Sequence, residues 1–168
     1  CRRGALALAV VILLSGCTFF GGRPSTVAPA ATLYETGERL LLQDKYEQAR
    51  EQFAWLAERH PESDLAPVSR FLVGETYFRE GDFEKAIPHF EAFVTLYPSH
   101  LVADLGQYRL ARSYFDQMPT LERDQNITAR ALAEFGKLVR QYPESRYAPD
   151  ALVKIDACRL RLAEKELW

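Results

Sequence analysis

Two patterns of apolar residues divide this chain. An unbroken apolar run extends from Ala5 to Leu14, and from Leu33 onward small and large apolar positions return at a fixed interval. That interval is 37 residues: Gly37, Tyr46, Ala49, Phe53, Leu56 and Pro61 recur as Gly74, Phe83, Ala86, Phe90, Phe93 and Pro98. A third, stretched copy reads Ala111, Tyr114, Ala131, Phe135, Leu138, Tyr142 and Pro143, with an insertion from Asp116 to Ile127 that holds Pro119 and predicts an exposed loop. After each closing proline the same phrase returns: Pro61-Glu62-Ser63 with Ala66, Pro98-Ser99-His100 with Ala103, Pro143-Glu144-Ser145 with Ala148. A period of this length marks stacked supersecondary units rather than one closed core.

Each unit reads as two helices. Helix A carries a small residue (Gly37, Gly74, Ala111) and a large one a turn later (Leu40, Tyr77, Tyr114). Helix B answers with a small residue (Ala49, Ala86, Ala131) and an aromatic four positions on (Phe53, Phe90, Phe135), so that small faces large across the hairpin. The proline ends helix B by driving the residue before it out of the helical region. Pro88 interrupts helix B of the second unit near its start, where it removes one backbone hydrogen bond. This pattern resembles the tetratricopeptide repeat and predicts an all-α superhelix of antiparallel hairpins. The units fall at about 33–66, 67–103 and 104–148, and 149–168 opens a fourth. A hairpin of this kind cannot cover its own outer faces, so neighbours must stack on it. The open fourth unit leads us to expect further residues after Trp168, and the absence of an initiating Met leads us to expect others before Cys1.

The amino-terminal run has a different purpose. Ten apolar residues behind Arg2 and Arg3 are too few to span a bilayer, and they lead into Leu14-Ser15-Gly16-Cys17. A basic segment, a short apolar segment and small residues at a cut describe a secretory signal over 1–16. The four-residue phrase resembles the lipobox of bacterial lipoproteins, which makes Cys17 the lipid-attachment residue; the competing reading is a buried helix that ends in Cys. Residues 17–32, rich in Gly, Pro, Ser, Thr and Ala, read as the lipidated Cys and a flexible tether. Thr18 after the cysteine resembles the outer-membrane sorting pattern. Cys158 lies in an apolar helical pattern and reads as a small core residue.

Charge and chemistry narrow the function. Basic and acidic residues number 21 and 23, interspersed, and loss of the signal takes the net charge from −2 to −4, so no cationic surface awaits nucleic acid. His60, His89 and His100 have no ligand at metal spacing and read as solvated surface; no phosphate loop, nucleophile elbow or carboxylate pair stands out. Neither an enzyme nor a cofactor is expected. A binding surface is: three residues before the small position of helix A stand Tyr34, Phe71 and Tyr108, and four after it Leu41, Phe78 and Phe115. These two apolar ladders, with Glu38, Glu75 and Arg112 beside them, suit a peptide lying in a groove, though the same aromatics would serve packing between repeats.

The lipobox, the tether, Leu33-Tyr34-Glu35, the phrase from Phe135 to Pro143 with Ser145-Arg146-Tyr147-Ala148, and Arg161 to Leu167 together resemble the BamD family, also called YfiO or ComL. Arg123-Asp124 matches an element of that family's third-unit loop, although Gln125 stands where the family usually has proline. The resemblance implies an outer-membrane lipoprotein facing the periplasm. It would bind unfolded outer-membrane barrel proteins with its first repeats and dock BamA and other Bam subunits with its later ones. The alternative is a periplasmic tetratricopeptide coordinator of the Tol-Pal or cell-division type, which usually lacks a lipobox and begins with a coiled coil.

Overall fold

A computed structural model describes residues 28–118 and 125–166. Among them are seven helices and no strand: α1 (Ala30–Leu42), α2 (Tyr46–Arg59), α3 (Leu65–Glu80), α4 (Phe83–Leu96), α5 (Ala103–Asp116), α6 (Gln125–Gln141) and α7 (Ala148–Glu166). Consecutive helices pack as antiparallel neighbours, and α3 also touches α1 and α5, so odd-numbered helices form one row and even-numbered helices the other. The all-α repeat architecture that the 37-residue period predicts is therefore the observed one.

The notch between paired helices is filled as the small-large pattern requires. A Cβ placed on Gly37 would lie 2.6 Å from Cε1 of Phe53, and one on Gly74 would lie 3.0 Å from Cε1 of Phe90. Phe53, Phe90 and Phe135 are fully buried, as are the small residues Ala49, Ala86, Ala111 and Ala131. A second notch, not apparent from the repeat motif, joins successive hairpins. Phe93 of α4 presses on Gly106 of α5, where a Cβ would meet its Cδ1 at 2.8 Å. Leu138 of α6 shares a cluster with Ala151 of α7 in the corresponding place. One period before Gly106 stands Ser69, whose hydroxyl is buried without a hydrogen-bond partner.

The turns repeat as faithfully as the helices. Hairpins one and two both reverse through a left-handed residue one period apart, Asp44 (φ 57°) and Gly81 (φ 83°). Glycine takes that conformation freely, and Asp44 is braced there by a 2.8 Å hydrogen bond from the Tyr46 hydroxyl. Between hairpins the residue before each proline leaves the helix, with His60 at φ −129° and Tyr97 at φ −131°. The backbone then closes the same two turns three times, from Ser63 to His60 and Ala66 to Ser63, and likewise at 97–103 and 142–148. Pro88 is exposed in an otherwise continuous α4; the carbonyl it leaves without a partner is that of Glu84, on the solvent side.

Two expectations need correction. The insertion does not reach Ile127 as loop: α6 begins at Gln125, and Thr128 is already buried, while residues 119–124 lie outside the description. Nor are the histidines solvated surface, since all three are half-buried with partners. His60 Nε2 donates to the Ala28 carbonyl at 2.8 Å, His89 stacks on Tyr77, and His100 Nδ1 accepts from the Val102 amide. Burial, with the nearby Arg50 charge, holds the His89 pKa below its usual value. Cys158 is buried in the last cluster, and burial pushes its thiol pKa up.

Gly37→Ala should destabilise the fold by about 1–3 kcal/mol because its methyl meets a buried ring. Gly136→Ala, which meets only the guanidinium end of Arg140, should gain about 0.5–1 kcal/mol from helix propensity. Urea unfolding of the two variants reads both signs, and equal effects would refute the notch. By the same measurement Ser69→Ala, which removes an unpaired buried hydroxyl, should stabilise by about 1 kcal/mol.

Candidate peptide groove

The first helices of the hairpins, α1, α3 and α5, together with α7, present the row on which the two ladders lie. Each ladder pair closes around one phenylalanine of helix B. Tyr34 meets Phe53 edge-on at 6.0 Å, and Leu41 is buried in the same cluster. Phe71 and Phe78 both touch Phe90, at 5.6 and 6.3 Å, and Phe71 also touches Phe93. Tyr108 and Phe115 both touch Phe135, at 6.2 and 5.9 Å. Leu41, Phe71 and Tyr108 are buried by this packing, whereas Tyr34, Phe78 and Phe115 are half-buried and keep a rim at the surface.

Cations cover two of those rims. The Arg109 guanidinium lies 4.5 Å from the centre of the Phe78 ring, and Lys154 Nζ lies 4.8 Å from that of Phe115. Such contacts join an apolar ring to a group able to pair with an anion. Arg109 is fixed from below, because Nε and Nη2 donate to Glu75 at 2.8 and 3.0 Å, and Arg79 donates to the same carboxylate at 3.0 Å. Glu75 is only 3% exposed. It is thus a buried clasp between hairpins two and three, not one of the groove's free charges. Glu38 is exposed, and its carboxylate, after burial, contributes to raising the Tyr34 pKa.

Farther along, Tyr108 stacks on Tyr147 at 4.8 Å and donates to Asp150 at 2.7 Å, tying α5 to the start of α7. Arg112 donates to the Tyr108 hydroxyl and to both oxygens of Asp116. Tyr114 is pushed up to a pKa of about 12, first by burial and then by its hydrogen bond to Glu91. On α6 the Glu134 carboxylate is buried and accepts from Gln107 at 2.9 Å and from Lys137. The periodic pattern carries no trace of these polar clasps: the residue one period before Arg109 is Leu72.

The described residues hold no group of three or more His, Cys, Asp or Glu side chains able to bind a metal, and no helix among them is long and apolar enough to cross a membrane. Cys17 and the Arg123-Asp124 element lie outside the described residues.

Comparison with known proteins decides the family, because residues 27–168 match the family described as YfiO, outer membrane lipoprotein. The chain belongs to the YfiO family. It is 32% identical to the outer membrane protein assembly factor BamD of Caulobacter vibrioides, over 98% of this chain and 56% of that protein. It is 29% identical to the BamD of Rickettsia prowazekii, over 95% of this chain and 64% of that protein. The chain therefore spans between half and two thirds of the length of these relatives. Among solved structures, the first tetratricopeptide domain of Spaghetti (RPAP3), bound to an HSP90 peptide, superimposes with a TM-score of 0.61 at 19% identity, covering 80% of this chain and 93% of that domain. That likeness identifies the tetratricopeptide fold.

Arg109→Met leaves the Glu75 carboxylate buried with one cation fewer, and should cost about 3 kcal/mol in urea unfolding. Glu75→Gln combined with Arg109→Met should recover much of that loss. If the single and double variants are equally unstable, the clasp is not what holds hairpins two and three.

Proposed function

We propose that this chain is part of an outer-membrane lipoprotein scaffold for barrel-protein assembly, anchored to the periplasmic face by lipid on Cys17. Its row of first helices binds extended segments of unfolded outer-membrane barrel proteins, and its repeats also meet partner subunits of the Bam machinery, BamA among them. The observation that carries this reading is the pairing of half-buried aromatic rims with covering cations, Phe78 under Arg109 and Phe115 under Lys154, in a chain of the YfiO family. Apolar rungs supply affinity, and the cations over them set register against acidic groups or a terminal carboxylate of the bound segment. The names of the relatives, assembly factors of the outer membrane, support the same role.

The six ladder residues are not equivalent as probes of that role. Phe71 and Tyr108 sit in the core, so truncating them removes packing along with any contact to a ligand, and a buried Phe→Ala costs about 3–5 kcal/mol. Tyr34, Phe78 and Phe115 expose the rim that a ligand would touch.

Phe78→Leu and Phe115→Leu should therefore retain helicity while lowering affinity for peptides copied from the last strand of barrel proteins by roughly five- to thirtyfold. Titration by fluorescence anisotropy reads the change. Unaltered affinity in both variants would overturn the groove. A pull-down of the lipidated, full-length protein from outer membranes tests the partner reading by whether BamA accompanies it.

A further inference from the structure

The three turns between hairpins lie on one edge of the stack, and the repeat makes their positions directly comparable. In the first turn the last residue of helix B and the residue three after the proline are Arg59 and Asp64; in the third they are Gln141 and Arg146. All four are exposed polar side chains, so stacking demands nothing apolar there. In the second turn the same two positions are Leu96 and Leu101, which are 62% and 92% exposed, with the exposed Pro98 between them. The two leucines thus make an apolar tip whose side chains the fold leaves exposed. On the opposite edge, the first of the described turns has the exposed Leu42 beside the polar residues Gln43-Asp44-Lys45.

What covers the tip follows from where the chain enters the fold. The His60 ring, in the first inter-hairpin turn, donates to the Ala28 carbonyl at 2.8 Å and so fixes the entry point on the same edge. Eleven residues follow Cys17 up to and including Ala28. At roughly 3.3 Å per residue they reach about 36 Å at most. Neighbouring helices pack about 8–10 Å apart, which puts the α5 end of the row about 20 Å from the start of α1, within that reach.

We propose that the edge built from the inter-hairpin turns faces the bilayer, with Leu96 and Leu101 entering the headgroup region as a second contact beside the lipid on Cys17. The proposal rests on the anchoring reading above. The lipid on Cys17, at the end of a tether, holds the chain to the surface without fixing how it sits, and exposed leucines at a tip supply an orienting contact by the burial of apolar surface. The contact also sets orientation: it holds the axes of the helices away from the membrane plane and leaves the long row of first helices open along its length.

The test uses purified lipidated protein in vesicles of phosphatidylethanolamine and phosphatidylglycerol. An environment-sensitive dye is attached either at Ser99→Cys, in the apolar tip, or at Gln43→Cys, on the opposite edge; Cys158 is buried and does not compete for the dye. Quenching by headgroup-region spin-labelled lipids should be about threefold or more stronger at position 99 than at 43, and Leu96→Ser with Leu101→Ser should abolish the difference. Both leucines are exposed, so the double variant keeps the fold. Equal quenching at the two positions in protein whose mass carries the lipid would overturn the membrane contact while leaving the anchor intact. A mass without lipid on Cys17 would overturn the anchor and this proposal together. Loss of a co-purifying protein in the double variant, with quenching unchanged, would assign the tip to a protein partner and overturn the bilayer.

Discussion

One steric arrangement underlies the molecule: an aromatic ring of each second helix seated in a gap that the first helix leaves by having no side chain, or only a methyl, at that point. Phe53 in the gap at Gly37, Phe90 at Gly74 and Phe135 beside Ala111 bring the paired backbones close enough for the rest of the hairpin to seal. Burying such a ring contributes about 1.5–3 kcal/mol, and it does so without the chain having to close a long loop. The ring also needs walls. They come from the residues three before and four after the gap, which is why Tyr34 and Leu41, Phe71 and Phe78, and Tyr108 and Phe115 are all large and apolar.

That requirement limits what the first-helix row can offer a ligand. Much of its apolar surface is spent inward, and what remains outward is the rims of Tyr34, Phe78 and Phe115. Two of the polar contacts on the row run between hairpins, whereas Arg112 is held within α5 by Asp116. Glu75 fixes Arg109 across α3 and α5, and Asp150 with Tyr147 fixes Tyr108 across α5 and α7. Stacking and presentation are thus coupled, since a shift of one hairpin against the next would move the cations that cover Phe78 and Phe115.

The architecture was legible because small, large and proline positions have steric meanings that survive without a structure, and the 37-residue spacing repeats them in phase. The second notch was harder to see: its small partner is Ser69 in one copy, Gly106 in the next and Ala151 in the last, three residue types with one steric role. Asp44 and Gly81 hid the shared left-handed corner in the same way. Long-range pairs such as Glu75 with Arg109 leave no periodic trace at all, because a clasp between copies need be made only once. The ladders, by contrast, were legible as a pattern but open in meaning, since a wall for a buried ring and a rung for a peptide require the same residue types.

Comparing copies separates these two demands. Where all three hairpins agree in character, as at the ladder positions, the inner packing of each unit is sufficient reason for the residue. Where they differ, no requirement common to every copy sets the residue, and something particular to one copy chooses the side chain. The set Glu35, Leu72 and Arg109 is one such position, Glu38, Glu75 and Arg112 another, and the pairs Arg59 with Asp64, Leu96 with Leu101, and Gln141 with Arg146 a third. The first two sets lie on the row of first helices and change sign along it; in them Glu75 and Arg109 answer a need of one interface alone, the clasp between hairpins two and three. The third lies on the edge at which the chain enters the fold. A repeat protein can be altered at the exposed positions of this kind one copy at a time, because no neighbouring copy packs on them, and it is there that a regular scaffold can acquire a particular partner.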